Sequence, residues 1–215
     1  MNKYTANIIS TALILPFALA AGAVHATSTV ISGSLWHVPE AISQNAIPSN
    51  VPATTPDVTF SVNSPFNFSG TNATVSSWLA SSAAFNIIEN TAGTLASLMD
   101  NGSQGTLVEF AGFVSVTNGQ TFTVTHDDGL TLIIGGLDLG FNPGPTSPVI
   151  TLATYTGPSG NFPFELVYGE CCGGPAVLQL DLPLNPIPEP ETYAMLLAGL
   201  GLLGFMARRR KESAV

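Results

Sequence analysis

Three groups of residues in this 215-residue chain have types and spacing that could do chemistry. The first is Asp127-Asp128-Gly129, two adjacent carboxylates at a corner between β-prone runs. A hard cation such as Ca²⁺ takes about six to eight oxygen ligands, and two carboxylates on a tight corner can converge on it. Without a cation, their mutual repulsion raises one of the two pKa values. Asp138, Asn142 and Glu170 are further oxygen donors chosen by chemistry alone. The competing reading needs no ion: Asp128-Gly129 makes a β-turn and Asp127 bonds backbone amides.

The second group is Cys171-Cys172, the only cysteines and adjacent in sequence. In an oxidising compartment they could form a vicinal disulfide, cross-link two molecules, or stay free and buried. A vicinal bridge would stiffen the loop at 169–175. Their spacing is not a metal motif, because C-x-x-C is absent and no second Cys pair or His cluster stands nearby. The third is His126, beside the aspartates, which reads as a hydrogen-bonding strand-end residue, a metal ligand or half of a catalytic dyad. No G-x-S-x-G, H-E-x-x-H or phosphate-binding glycine loop occurs. Glycosidase chemistry needs two carboxylates roughly 5–10 Å apart, and no local signature selects such a pair. Trp36 and His37 are expected at the surface, and Trp36 or Trp78 could stack on sugar rings. Trp78 reads as core from its place in a short helix.

The elements that must position these groups lie in the middle of the chain. All five Lys and Arg are at the ends, and 27–187 holds eleven Asp and Glu with no basic residue, a side-chain charge of −11. A segment without cations cannot neutralise phosphates, which excludes nucleic acid as a partner. Charged residues are only 9% of the chain, and β-branched residues are many, which argues against a disordered acidic tail. About 160 residues suffice for one domain with a core. Residues 27–72 read as loops with short strands, one of them near 58–62. Thr74 is a natural N-cap for a helix at 75–80, and a second helical stretch is expected at 95–99.

From 106 the pattern is β. Residues 107–117 and 120–125 form strands joined by Asn118-Gly119, predicted as a two-residue hairpin turn with positive φ at both positions. Phe122 and Val124 alternate with Thr121, Thr123 and Thr125, so one face is buried. A strand at 130–134 follows the Asp-Asp-Gly corner. Phe162, Phe164, Leu166 and Tyr168 share a face, as do Ala176, Leu178, Leu180 and Leu182. The run at 149–155, apolar on both sides, suits a central strand. The fold class is all-β, an antiparallel β-sandwich of at least six strands flanked by a signal helix and a transmembrane sorting helix.

The two ends read as addresses. Residues 1–26 fit a secretory signal peptide, with Lys3 as the positive region, an apolar stretch at 8–24 and Val24-His25-Ala26 before the cut. At the other end, Pro188-Glu189-Pro190 precedes an apolar run at 193–207 and then Arg208-Arg209-Arg210-Lys211. Fifteen helical residues span about 22 Å, shorter than a hydrocarbon core of about 30 Å, and snorkelling arginines cover part of the difference. The tail at 186–215 resembles the PEP-CTERM protein-sorting signal of Gram-negative bacteria. That resemblance implies passage through the Sec translocon, an inner-membrane intermediate, and processing near Pro188-Glu189-Pro190 by an exosortase. Release to the cell surface or extracellular matrix follows. A plain membrane anchor is the alternative.

The middle domain, 27–185, resembles PA14-like β-sandwiches, most strongly over 106–182. The resemblance rests on Phe122-Thr-Val-Thr-His-Asp-Asp-Gly-Leu-Thr-Leu-Ile-Ile-Gly-Gly136. A later strand, Phe164-Glu-Leu-Val-Tyr-Gly-Glu170, is followed by Gly173-Gly174 and a last strand. The Gly after Tyr168 departs from the usual pattern. Such domains are typically non-catalytic and many bind carbohydrate; in the adhesin branch the paired aspartates hold Ca²⁺. The resemblance therefore implies Asp127 and Asp128 as metal ligands in an exported, non-enzymatic module linked to exopolysaccharide or biofilm. A secreted hydrolase of matrix glycans and a purely structural matrix protein are the rival readings.

Overall fold

The computed structural model describes residues 30–180. The expected signal peptide at 1–26, the expected sorting helix at 193–207 and the expected domain limits at 27 and 185 lie outside the described residues. Among the described residues, no helix is long and apolar enough to cross a membrane.

Eleven strands and two short helices make the domain: β1 Val30–Pro39, α1 Glu40–Ser43, β2 Val58–Asn63, β3 Phe66–Gly70, α2 Val75–Ser81 and β4 Phe85–Glu89 come first. They are followed by β5 Gln104–Val116, β6 Thr121–Asp127, β7 Gly129–Ile134, β8 Leu137–Asp138, β9 Val149–Thr154, β10 Gly160–Glu170 and β11 Ala176–Leu180. A seven-stranded sheet runs β4-β2-β1-β5-β10-β7-β8, and a four-stranded sheet runs β3-β11-β6-β9. All pairings are antiparallel. The expected sandwich is what forms.

Alternation builds the core between the sheets. Phe122 and Val124 of β6 point inward, as do Phe164, Leu166 and Tyr168 of β10 and Ala176, Leu178 and Leu180 of β11. Helix α2 forms where Thr74 caps it, its side chain accepting the Ser77 N–H at 3.2 Å. The helix delivers Trp78 into an aromatic column. Phe68 stacks on Trp78 at 4.2 Å between centroids, and Trp78 lies parallel to Tyr168 at 5.8 Å. Each such pair adds about 0.5–1.5 kcal/mol beyond area burial, and the column ends at the Tyr168 hydroxyl, beneath the aspartate corner.

Four expectations fail, each for a tertiary reason. Strands β5 and β6 do not pair; the Asn118-Gly119 corner carries the chain from one sheet to the other. Only Gly119 has positive φ, at 83°. The corner is fixed instead to the loop after β9, where the Asn118 side chain donates to the carbonyls of Thr156 and Gly157. Strand β9 is an edge rather than a centre, and Ile150 and Leu152 are 71% and 67% exposed. The stretch at 95–99 forms only a 3₁₀ turn, Thr94–Ala96, because Leu98 bridges to Thr74 and the Met99 N–H donates to the Ala73 carbonyl at 2.9 Å. Trp36 is buried with Val38, Ala46, Leu107 and Val167 in a small second cluster, and its Nε1 donates to the Thr54 carbonyl at 3.1 Å.

Candidate functional site

Strand β6 ends at Asp127 and β7 begins at Gly129, so Asp128 alone makes the corner between two strands of different sheets. The Asp127–Asp128 peptide is cis. Gly129 is not there for positive φ. A Cβ on it would lie 2.0 Å from the Pro143 carbonyl oxygen, so the missing side chain lets the loop after β8 close over the corner. Its cross-strand partner is Gly169, where a Cβ would lie 2.3 Å from the Ser43 carbonyl oxygen. This explains the glycine after Tyr168: the last residue of α1 and Ala46 beyond it press on the sheet there. Paired glycines thus admit two covering segments beside one carboxylate.

The loop after β8 and the residue that follows β10 fasten Asp128. Its Oδ1 accepts the Thr146 N–H at 3.1 Å and its Oδ2 accepts the Cys171 N–H at 2.9 Å. The amide-binding aspartate is therefore Asp128 and not Asp127. Two accepted bonds still leave a carboxylate with lone pairs to offer. Asp127 is anchored through its backbone, since its carbonyl accepts from the Tyr168 hydroxyl. The same hydroxyl oxygen lies 2.6 Å from Glu170 Oε2.

Both aspartates are almost fully buried, yet they line a cleft of about 460 Å³ between residues 145–148 and 172–175. Burial, then the Asp128 charge and a hydrogen bond with Asp128, push the Asp127 carboxyl up from 3.8 to about 7. The predicted rise of one pKa is present, with desolvation the larger cause. Burial also pushes Glu170 up from 4.5 to about 9; the Tyr168 hydrogen bond opposes the rise, and Asp128, Asp127 and Asp100 add to it. Neither sheet supplies a cation to offset these acids, because residues 30–180 contain no Lys or Arg.

The other residues singled out in the sequence fall differently. Asp138 and Asn142 accept local amides, Gly140 N–H at 2.8 Å and Gly144 N–H at 3.0 Å, and neither lines the cleft. Glu170 faces a separate small pocket of about 40 Å³. His126 is buried; its Nδ1 sits 2.6 Å from the Asp128 carbonyl and its Nε2 3.2 Å from Thr151 Oγ1. A carbonyl only accepts, so Nδ1 carries the proton and Nε2 takes the threonine hydroxyl. Burial lowers its pKa, and both ring nitrogens are spent on structure. Both cysteines are free thiols, Cys171 buried and Cys172 exposed at the cleft. The wall formed by Pro145, Thr146, Ser147 and Pro148 was not legible in sequence, because it holds no charged or aromatic residue. Trp36 and Trp78 are buried and present no face for stacking.

Residues 186–211 match the PEP-CTERM protein-sorting motif, so the chain carries that motif at its C-terminal end. No curated protein matches the chain. Among solved structures, the fold is similar to the PA14 sugar-binding domain from an RTX adhesin, with 17% identity over 72% of this chain and 89% of that one and a TM-score of 0.50. It is also similar to the PA14 domain of the MpAFP antifreeze protein, with 18% identity over 72% and 82% and a TM-score of 0.48. The adhesin likeness shows a PA14-like sandwich.

Proposed function

We propose that this chain is exported, processed by an exosortase at its PEP-CTERM motif, and placed at the surface or in the extracellular matrix of a Gram-negative bacterium as a non-enzymatic binding module. Its ligand is a carbohydrate, an exopolysaccharide of the biofilm matrix, held at the cleft through Ca²⁺. Asp127 and Asp128 hold the ion. The single observation that carries this reading is the buried pair of carboxylates opening onto the cleft with no cationic side chain in the domain.

The residues fit a hard cation. The donors are the Asp127 and Asp128 carboxylate oxygens, and Thr146 and Ser147 line the same cleft; Ca²⁺ prefers all-oxygen sets. Burial first and the Asp128 charge second raise the Asp127 pKa, and a bound cation would draw it down. When bound, Ca²⁺ supplies open coordination positions that sugar hydroxyls can fill. The protein fixes the Asp128 carboxylate by two amide bonds and the Asp127 backbone through Tyr168.

The purified chain should melt at higher temperature with millimolar Ca²⁺ than with a chelator, and Asp127→Asn/Asp128→Asn should abolish the difference. Equal melting of all samples would end the cation reading. Saturable, Ca²⁺-dependent retention on extracellular polysaccharide, without shortening of the polymer, supports the module; release of reducing ends would favour the hydrolase.

A further inference from the structure

The adjacent cysteines gain in the fold a partner that their sequence spacing does not suggest. Consecutive side chains of a strand point to opposite faces. Cys171 follows directly after β10, and Cys172 adopts a left-handed backbone with φ 65°, which breaks that alternation. The two Sγ atoms and a carboxylate oxygen of Asp128 come within 4.8 Å of one another. Each is held in place: Asp128 by the Thr146 and Cys171 amides, Cys171 by burial, and Cys172 Sγ by an N–H···S bond from Gln44 Nε2 at 3.4 Å. Cys172 and Asp128 open on the same cleft.

From this geometry we infer that Asp128, Cys171 and Cys172 form a site for a thiophilic divalent cation of the Zn²⁺ or Cd²⁺ class. Two sulfurs and one oxygen are the donor set that borderline and soft ions select over Ca²⁺ or Mg²⁺. Three protein ligands leave a fourth tetrahedral position facing the cleft, open to water or an anionic or hydroxyl ligand. Binding forms two metal–sulfur bonds and releases two thiol protons to solvent, with no change of oxidation state. The Gln44 amide bond would then fall on a thiolate, where it is stronger than on a thiol. The inference does not depend on the Ca²⁺ reading, although Asp128 belongs to both donor sets.

The test is titration of the full chain, purified with a phosphine reductant, with Cd²⁺ alone while following the ultraviolet thiolate-to-metal charge-transfer band. The band should saturate at one equivalent. Cys172→Ser, at an exposed position, should weaken binding about ten-fold or more, and Asp128→Asn should weaken it by a similar factor while the band remains. Circular dichroism of each variant checks that the fold is kept. The site is overturned if the reduced chain gives no band. It is also overturned if Cys171→Ser and Cys172→Ser each keep half the band at unchanged affinity, as unrelated thiols would. Failure to find two titratable thiols in chain recovered from the exported fraction without reductant would overturn it for the exported protein, because a vicinal disulfide cannot supply thiolates. Ca²⁺ gives no such band, so failure of the Ca²⁺ melt and failure of this titration are separate results.

Discussion

Strand β6 begins and ends at corners marked by the same turn chemistry, Asn118-Gly119 at one end and Asp128-Gly129 at the other. At the first, the glycine is needed for its own backbone, with φ 83°, and nothing lies within 4 Å of where its Cβ would be. At the second, the glycine is needed by its neighbours, since the Pro143 carbonyl occupies the space. Asn118 is exposed and satisfies carbonyls of a single neighbouring loop. The aspartates are buried under two converging loops and rest on the Tyr168 hydroxyl. A turn becomes a candidate site when other segments cover it and bury its carboxylates without a cationic partner.

That contrast can be tested, and the largest effect should come from pH. Asp127 and Glu170 both hold protons in the folded state that the unfolded chain gives up near its ordinary carboxyl pKa. Their contribution to stability is complete below about pH 4 and is lost as pH rises through about 7 for Asp127 and about 9 for Glu170. In chelator, the melting temperature should therefore fall between pH 5 and pH 9, on the order of ten degrees. A curve flat over that range would show that the acidic end carries no more strain of charge than the neutral one.

A smaller effect is expected from Tyr168→Phe. It keeps the ring parallel to Trp78 but leaves the Asp127 carbonyl and Glu170 without their hydroxyl partner. Denaturant unfolding should show a loss of about 1–3 kcal/mol, the cost of stranded buried polar groups. The Ca²⁺-dependent rise in melting temperature should shrink with it. The smallest belongs to the other corner. Asn118→Ala removes two bonds to carbonyls at an exposed turn, so unfolding should cost about 0.5–1.5 kcal/mol. Its response to Ca²⁺ and to pH should match the parent; a changed Ca²⁺ response would mean that the two ends of β6 are coupled.

The inward faces of β6, β10 and β11 were legible because a period of two survives in any sheet arrangement. The Thr74 cap and α2 were legible because an N-cap is settled within four residues. Sheet partners were not. Alternation at 107–117 and 120–125 describes a hairpin and a corner between sheets equally well, and only the pairing of β5 with β1 and β10 separates them. The apolar run in β9 looked central because composition does not record whether a strand has one neighbour or two.

The sequence by itself determined the sorting motif at 186–211, the alternating core faces, the Asp-Asp-Gly corner and a cation-free acidic domain. Each depends on residue order and local chemistry alone. Only the tertiary structure decided that Asp128 and not Asp127 binds the amides, that Glu170 turns to Tyr168, and that residues 145–148 wall the cleft. It alone brought Asp128 to the two thiols. These juxtapositions join residues as far as 43 positions apart in the chain, and glycines at 129 and 169 leave room for the Pro143 and Ser43 backbones to close on the sheet beside that corner.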